Sequence, residues 1–264
     1  MAARPADPGT ALVTGASVGI GRELARQFAA GGYDVAGVAR RKSQLDALAN
    51  DLESRHGVET AMVPMDLTEP DAADRLEDAV RDRGLRVDAL VNNAGIGAYG
   101  PFQETDLDRE LDQVRLNVQV PVHLTKLFLP GMVERDEGVV LNVASLGAVV
   151  PGPKLAGYYA SKAHLRSLSE AIAEELSDTG VAVTALCPGP VDTEFQERAG
   201  MTDSVIGSTF AHTPEEVARA GYRGAMAGKP VVVPGAAAKV LYHLSGLAPR
   251  TLRRKAAAWL NDDR

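Results

Sequence analysis

Seven short, continuously apolar runs alternate with longer amphipathic stretches along this 264-residue chain. That rhythm predicts an α/β protein with a doubly wound, parallel, seven-stranded sheet, helices on both faces and a C-terminal helical extension. Two further observations agree. A glycine-rich turn joins the first run directly to the first helical stretch, and nothing between residues 10 and 235 reads as a linker, a repeat or a low-complexity block.

The strand-like runs are 11–14, 34–39, 60–64, 89–91, 139–143, 181–186 and 231–233. They lack the in-out alternation of a half-exposed strand, so each is expected to be covered on both faces. Helical patterns fall at roughly 20–31, 43–55, 70–83, 106–135, 157–178 and 214–227. Residues 1–9 read as a flexible N-terminus and 10–235 as one catalytic domain. Within it, 192–213 has weak periodicity and reads as a substrate lid, with Gly200 and Gly207 as hinges. Residues 236–264 form the extension, with apolar positions Val240, Leu241 and Leu244, then Leu252, Ala256, Trp259 and Leu260, at helical spacing. Pro249 is expected to divide it into two helices.

Composition narrows the classes of function. A net charge of −7 gives no reason to expect a nucleic-acid partner. A single cysteine, Cys187, excludes an internal disulfide framework and fits a reducing compartment. The five histidines show no metal-ligand spacing, so no metal site is expected. No apolar run approaches the length that spans a bilayer, and Met1–Pro8 has no apolar leader core, so the chain reads as cytoplasmic.

Two motifs carry chemistry. Thr14-Gly15-Ala16-Ser17-Val18-Gly19-Ile20-Gly21 lies at the first strand–helix junction, where free N–H groups at a helix start favour a pyrophosphate. Its spacing, Gly-x-x-x-Gly-x-Gly, differs from the Gly-x-Gly-x-x-Gly of the general dinucleotide fingerprint. At the tip of the second strand stand Arg40 and Arg41 rather than the carboxylate that would bond a ribose 2′-hydroxyl. Arginine there attracts a 2′-phosphate, which favours NADP(H) over NAD(H); the competing reading is a pair of solvated charges at a helix start. Asp66 and Leu67, after the third strand, are placed to meet an adenine edge, the plainer alternative being a residue in a helix N-cap region. The second motif is Tyr158-x-x-x-Lys162, a pair that shares one helix face. A free tyrosine has a pKa of about 10, and a neighbouring ammonium favours the phenolate and draws that value towards neutrality.

The glycine loop, Asn92-Asn93-Ala94-Gly95, Asn117, Ser145, Tyr158, Lys162 and Pro188-Gly189-Pro190-Val191-Asp192-Thr193 together resemble the short-chain dehydrogenase/reductase family, in its compact single-domain, Rossmann-type branch. The resemblance covers roughly residues 10–235. It implies that Tyr158 exchanges a proton with a carbonyl or alcohol oxygen while hydride passes to or from a nicotinamide. Lys162 would lower the tyrosine's pKa and bond the nicotinamide ribose, Ser145 would hold the substrate oxygen, and Asn117 would interrupt its helix and hold a relay water. Gly15, Ser17, Gly19, Ile20, Gly21, Asn93, Ala94, Gly95, Pro188 and Gly189 would line the cofactor, with Val191 and Thr193 at the carboxamide. Plainer readings stand beside these: Tyr159 as the reactive tyrosine, Ser161 in place of Ser145, Asn117 as an exposed helix residue, Thr193 as a helix cap.

For the substrate, Leu146, Val149 and Phe195 are candidate walls. The stretch 146–155 is almost wholly apolar, and no cluster of arginines and lysines awaits a phosphate or carboxylate. A small, largely apolar ketone, aldehyde or acyl-type substrate is expected, with similarity to broad carbonyl and 3-oxoacyl reductases. The resemblance also implies a homodimer or homotetramer built on helices 106–135 and 157–178. Three alternatives belong to other classes: an NAD-dependent alcohol dehydrogenase, a lipid reductase held at a membrane surface by the basic tail, and a cofactor-binding protein without turnover. The last would be expected to lose Tyr158 or Lys162, and the chain keeps both.

Overall fold

The structure is a computed structural model that describes residues 9–200, 212–247 and 249–261. Strands β1 (Thr10–Thr14), β2 (Asp34–Ala39), β3 (Thr60–Pro64), β4 (Val87–Asn92), β5 (Gly138–Val143), β6 (Val181–Leu186) and β7 (Val231–Val232) form one sheet. Their order is β3-β2-β1-β4-β5-β6-β7, and every pairing is parallel. The chain winds outwards from β1 in one direction and then from β4 in the other. The crevice at that reversal opens at the carboxyl ends of the strands, where open α/β sheets bind ligands.

Burial on both faces explains the continuous apolar runs. In β1, Ala11 and Val13 face one core while Leu12 faces the other; in β4, Ala89 and Val91 oppose Leu90 in the same way. The first core is completed by α1 (Gly19–Ala30), α2 (Lys42–His56) and α8 (Pro214–Met226), through Leu24, Phe28, Leu45 and Val217. The second is completed by α3 (Ala72–Arg81) and α5 (Val120–Glu134), through Leu76, Leu124 and Met132. These layers leave the C-terminal strand ends free to carry the site.

The stretch predicted as one helix over 106–135 is three segments. α4 (Leu107–Val114) runs into a π turn at Arg115–Gln119, and α5 follows. The cause is Asn117, which is fully buried and clasps the main chain of Ile96 from both sides. Its Oδ1 accepts from Ile96 N at 3.0 Å, and its Nδ2 donates to Ile96 O at 2.9 Å and to Ser161 Oγ at 3.1 Å. The plain reading of Asn117 as an exposed residue is therefore corrected. π turns recur at functional sites because the extra residue re-aims a side chain.

α6 (Ala156–Glu175) carries Tyr158 and Lys162, and the short α7 (Phe195–Ala199) follows β6. Beyond β7 come α9 (Ala236–Leu247) and α10 (Arg250–Leu260), with Pro249 as the N-cap of α10, so the extension divides where proline required. Met201, Val205, Gly207 and Phe210 of the expected lid lie outside the described residues. Among the described residues no helix is long and apolar enough to cross a membrane.

Candidate active site

The site begins with the turn after β1. Gly15 has φ +68°, and a Cβ there would lie 2.7 Å from Asn93 Nδ2. A Cβ on Gly21 would lie 2.3 Å from Gly15 O, so only glycine lets α1 start this close to the loop. α1 starts with no side-chain cap and no acid in its first turn, which leaves its first N–H groups to an external anion. Thr14 Oγ1 accepts from Asn93 N and Ala94 N, both at 3.0 Å, and Asn93 Nδ2 donates to Thr14 O at 2.9 Å. The loops after β1 and β4 are thus one bonded unit at the topological switch.

That unit forms one wall of a cavity of about 1810 Å³. Of the cofactor and substrate residues inferred above, all but Gly21 line it, and so do Ser145, Tyr158 and Lys162. Gly21 and Asn117 sit behind the wall and shape it. The volume exceeds that of a pocket for one small ligand, typically about 300–1,000 Å³, and suits a dinucleotide beside a second molecule. The tips of β2 and β5 stand three strand spacings apart, roughly 14 Å, so the Arg40 end and the Ser145 end are about a dinucleotide's reach from each other.

At the β2 end the arginines differ. Arg40 is well exposed, with Nη1 3.6 Å from Asp66 Oδ2. Asp66 is anchored by Thr68, whose N and Oγ1 donate to Oδ1 at 3.0 and 2.8 Å. Burial raises the carboxyl's pKa, but the bonds from Thr68 and the charge of Arg40 outweigh it and hold the group below its ordinary range. Arg41 turns instead to Glu194 Oε2 at 3.2 Å, an oxygen that Arg198 also reaches. Thr193 Oγ1 accepts from Phe195 N at 3.3 Å, but the N-cap position of α7 is Glu194 and the helix has no side-chain cap, so the capping reading of Thr193 is corrected to a local turn bond.

At the β5 end, Ser145 begins a tight 3₁₀ turn, Leu146–Val149, and its Oγ accepts from Gly147 N at 3.0 Å. It is also hydrogen-bonded to Tyr158. Ser161 instead donates to Tyr158 O at 2.7 Å and binds Asn117, behind the helix. The Phe195 ring lies 5.1 Å from the Tyr158 ring and closes that side. Tyr159 is committed elsewhere: its hydroxyl donates to Asn261 Oδ1 at 3.2 Å, and a Cβ on Gly152 would lie 2.5 Å from its ring. Of the two tyrosines, Tyr158 is therefore the one set beside Ser145 and Lys162.

Lys162 is 4% exposed, and its Nζ donates to Val143 O at 2.7 Å. Nζ lies 5.8 Å from the centre of the Tyr158 ring. Burial pulls the lysine's pKa down from 10.5 to about 8. Burial likewise pushes Tyr158 up to about 12, while the bond with Ser145 opposes it. The expectation that the ammonium draws the phenol towards neutrality is thus reversed by desolvation from the protein's own groups. Tyr158 stands as a neutral acid across the physiological range, beside an ammonium that keeps its charge up to about pH 8.

The extension supplies residues that sequence reasoning missed. Arg253, Ala257 and Leu241 also line the cavity. Asn261, fully buried, donates from Nδ2 to Pro153 O at 2.8 Å and accepts from Tyr99 Oη through its main-chain O at 2.7 Å. Arg253, Ala257 and Asn261 recur every four residues and so share one helix face. That spacing was visible in the sequence; what the face would meet was not.

A family model described as short chain dehydrogenase matches residues 9–203. A short chain dehydrogenase of Pseudocercospora fijiensis is 38% identical over 205 residues, covering 77% of this chain and 65% of its own. A very-long-chain 3-oxoacyl-CoA reductase of Anas platyrhynchos is 36% identical over 192 residues, covering 71% of this chain and 61% of its own. The chain thus spans less than two thirds of the length of these two relatives. A solved short-chain dehydrogenase from Sphingobium yanoikuyae in complex with NADPH superposes with a TM-score of 0.81 at 32% identity, over 90% of this chain and 93% of that one.

A cation whose folded pKa lies below its unfolded value costs stability at every pH below the folded pKa, and the cost fades as pH rises between the two. For Lys162 that window runs from about 8 to 10.5. Lys162→Met is therefore expected to abolish turnover yet raise the unfolding free energy at neutral pH by roughly 3 kcal/mol, a gain that shrinks above about pH 8. Urea denaturation on both sides of that window measures it; a loss of stability at neutral pH would contradict the buried-charge account.

Proposed function

The chain belongs to the short chain dehydrogenase family, and on that footing we propose that it is an NADP(H)-dependent oxidoreductase acting between a carbonyl and an alcohol of a small, largely apolar substrate. The observation that carries this reading is the convergence of Ser145, Tyr158 and Lys162 on the same cavity whose far end holds Arg40.

The residues fit a dinucleotide. The uncapped start of α1 offers N–H groups to a pyrophosphate, Arg40 offers its guanidinium to a 2′-phosphate, and the loop Asn93–Gly95 lines the space between the β2 tip and Lys162. A bound nicotinamide supplies the hydride. The protein's part is acid–base and electrostatic. Ser145 Oγ donates to the substrate oxygen and fixes it beside the Tyr158 hydroxyl. Tyr158 gives up its proton as that oxygen gains charge, and the Lys162 ammonium, desolvated and therefore strongly felt, stabilises the phenolate that forms. In the oxidative direction the same groups act in reverse. Asn117 bonds the loop at Ile96 and the helix at Ser161, which holds Lys162 and Gly95 at one spacing. A relay of protons past Asn117 is part of this proposal.

Leu146, Val149 and Phe195 favour an apolar body next to the reacting carbon. Relatives named very-long-chain 3-oxoacyl-CoA reductase support an acyl-type carbonyl among the candidates. For the oligomer, the exposed apolar row Leu107, Leu111 and Val114 on α4 supports a subunit contact there.

Steady-state reduction of apolar ketones, aldehydes and 3-oxoacyl thioesters tests the reading. NADPH is expected to exceed NADH by about tenfold or more in kcat/KM, and Arg40→Ala to erase that ratio by slowing the NADPH reaction alone. A wild-type preference for NADH would overturn the cofactor assignment. Tyr158→Phe is expected to stop turnover while NADPH still binds in a fluorescence titration; residual turnover near the wild-type rate would remove Tyr158 as the acid.

A further inference from the structure

The charge of Arg253 has no use in the mechanism above. Its guanidinium is permanently protonated and carries five donors. Nη1 donates to Val149 O at 3.3 Å, a neutral carbonyl at the end of the turn that Ser145 begins. Nε is buried and has no hydrogen-bond partner among the described residues. Other arginines of the fold are matched: Arg26 meets Asp51, Arg135 meets Asp88 and Arg166 meets Glu170. Arg253 meets no carboxylate among the described residues, and it lies on the cavity wall beside Val149 and Ala257. A buried donor without a partner is unfavourable in a folded chain, and a guanidinium on the wall of a ligand cavity can turn its remaining donors to a ligand. Exposed Arg254 and Lys255 follow it, and α10 itself contains no acid that could pair with it.

We infer that Arg253 is the receptor for an anionic group of the substrate, so that the molecule reduced is amphipathic: a carbonyl at Ser145 and Tyr158, an apolar body, and a carboxylate or phosphate at Arg253. This rests on the reductase reading above, and it gives to one arginine the part that no cluster of arginines and lysines fills. Arg253 reaches the far end of the turn that Ser145 begins, so the anion would sit on the same wall as the reacting carbonyl but apart from it. A planar fork suits a carboxylate or a phosphate oxygen pair better than a single hydroxyl.

Two matched pairs of substrates test this with the full-length enzyme and NADPH. The first is a medium-chain methyl-keto carboxylic acid and its methyl ester. The second is a 3-oxoacyl-CoA thioester and its uncharged N-acetylcysteamine counterpart. The wild type is expected to favour the charged member of one pair by about tenfold or more in kcat/KM. The pair that responds tells a carboxylate from the phosphates of the thioester. Arg253→Gln is expected to bring that ratio within about threefold by slowing the charged member alone, and Arg253→Lys to keep part of it. Equal rates for charged and neutral members in the wild type would overturn the inference. So would an Arg253→Gln enzyme that loses both members equally, because that pattern means the arginine only props the Val149 turn. If the neutral ester and the neutral thioester are reduced in either case, the reductase reading stands by itself; turnover of no carbonyl at all would overturn both.

Discussion

The buried ammonium of Lys162 is the interaction on which the rest of the site depends. A lysine is kept charged almost without water only where other groups fix it in place, and here its Nζ is held by the carbonyl of Val143 at the end of β5. That carbonyl is available because a parallel strand ends there, at the mouth of the crevice. Behind it, Asn117 in the π turn bonds Ile96 and Ser161, so the loop after β4 and the helix that carries Lys162 cannot drift apart. Around Lys162 are Gly95, Tyr158 and Cys187, the last a buried thiol pushed up to about 12 by burial and thus neutral. Among the described residues the ammonium meets no carboxylate, only the Val143 carbonyl, and the Tyr158 ring lies nearby.

The two ends of the cavity are built on different terms. The end at β1 and β2 is made largely of backbone, from glycines, strand ends and an uncapped helix, with Arg40 and Asp66 at its edge. The end at β5 is made from additions to the fold, namely the turn after Ser145, α7 and the C-terminal helices. Glu194 ties the two together, because one of its carboxylate oxygens meets Arg41 from the cofactor side and Arg198 from α7. The Arg109 guanidinium, bonded to Gly97 O at 2.8 Å and to the main chain of Arg198, seats α7 over Tyr158. Asn261 makes the matching bond for the extension, joining Tyr99, Pro153 and Tyr159 at one point.

Most of the fold was legible because its physics is local. Strands buried on both faces read as unbroken apolar runs, so β2, β3 and β6 begin and end where the runs do, and Pro249 divides the extension for steric reasons alone. The π turn at Asn117 was legible only through resemblance, since one extra residue in a helical turn leaves the apolar period of 106–135 almost unchanged. The direction of the Tyr158 pKa was misread because the sequence shows a neighbouring charge but not the depth of burial, and burial is the largest cause of the shift. Arg253 and Asn261 escaped for a third reason: the apolar residues of α10 advertise a helix, whereas its contribution to the site comes from polar residues at a spacing that acquires meaning only once the helix is docked against the cavity.

The proposed chemistry depends on a desolvated ammonium held at the strand ends beside a neutral tyrosine. Selective ¹³Cε labelling of lysine, with the Lys162 resonance identified by Lys162→Met and followed by NMR as pH is raised, reads that charge directly. Lys162 is expected to lose its proton near pH 8, well before the surface lysines. A midpoint at or above the ordinary 10.5 would contradict it, because the ammonium would then be solvated or paired and could not act as described.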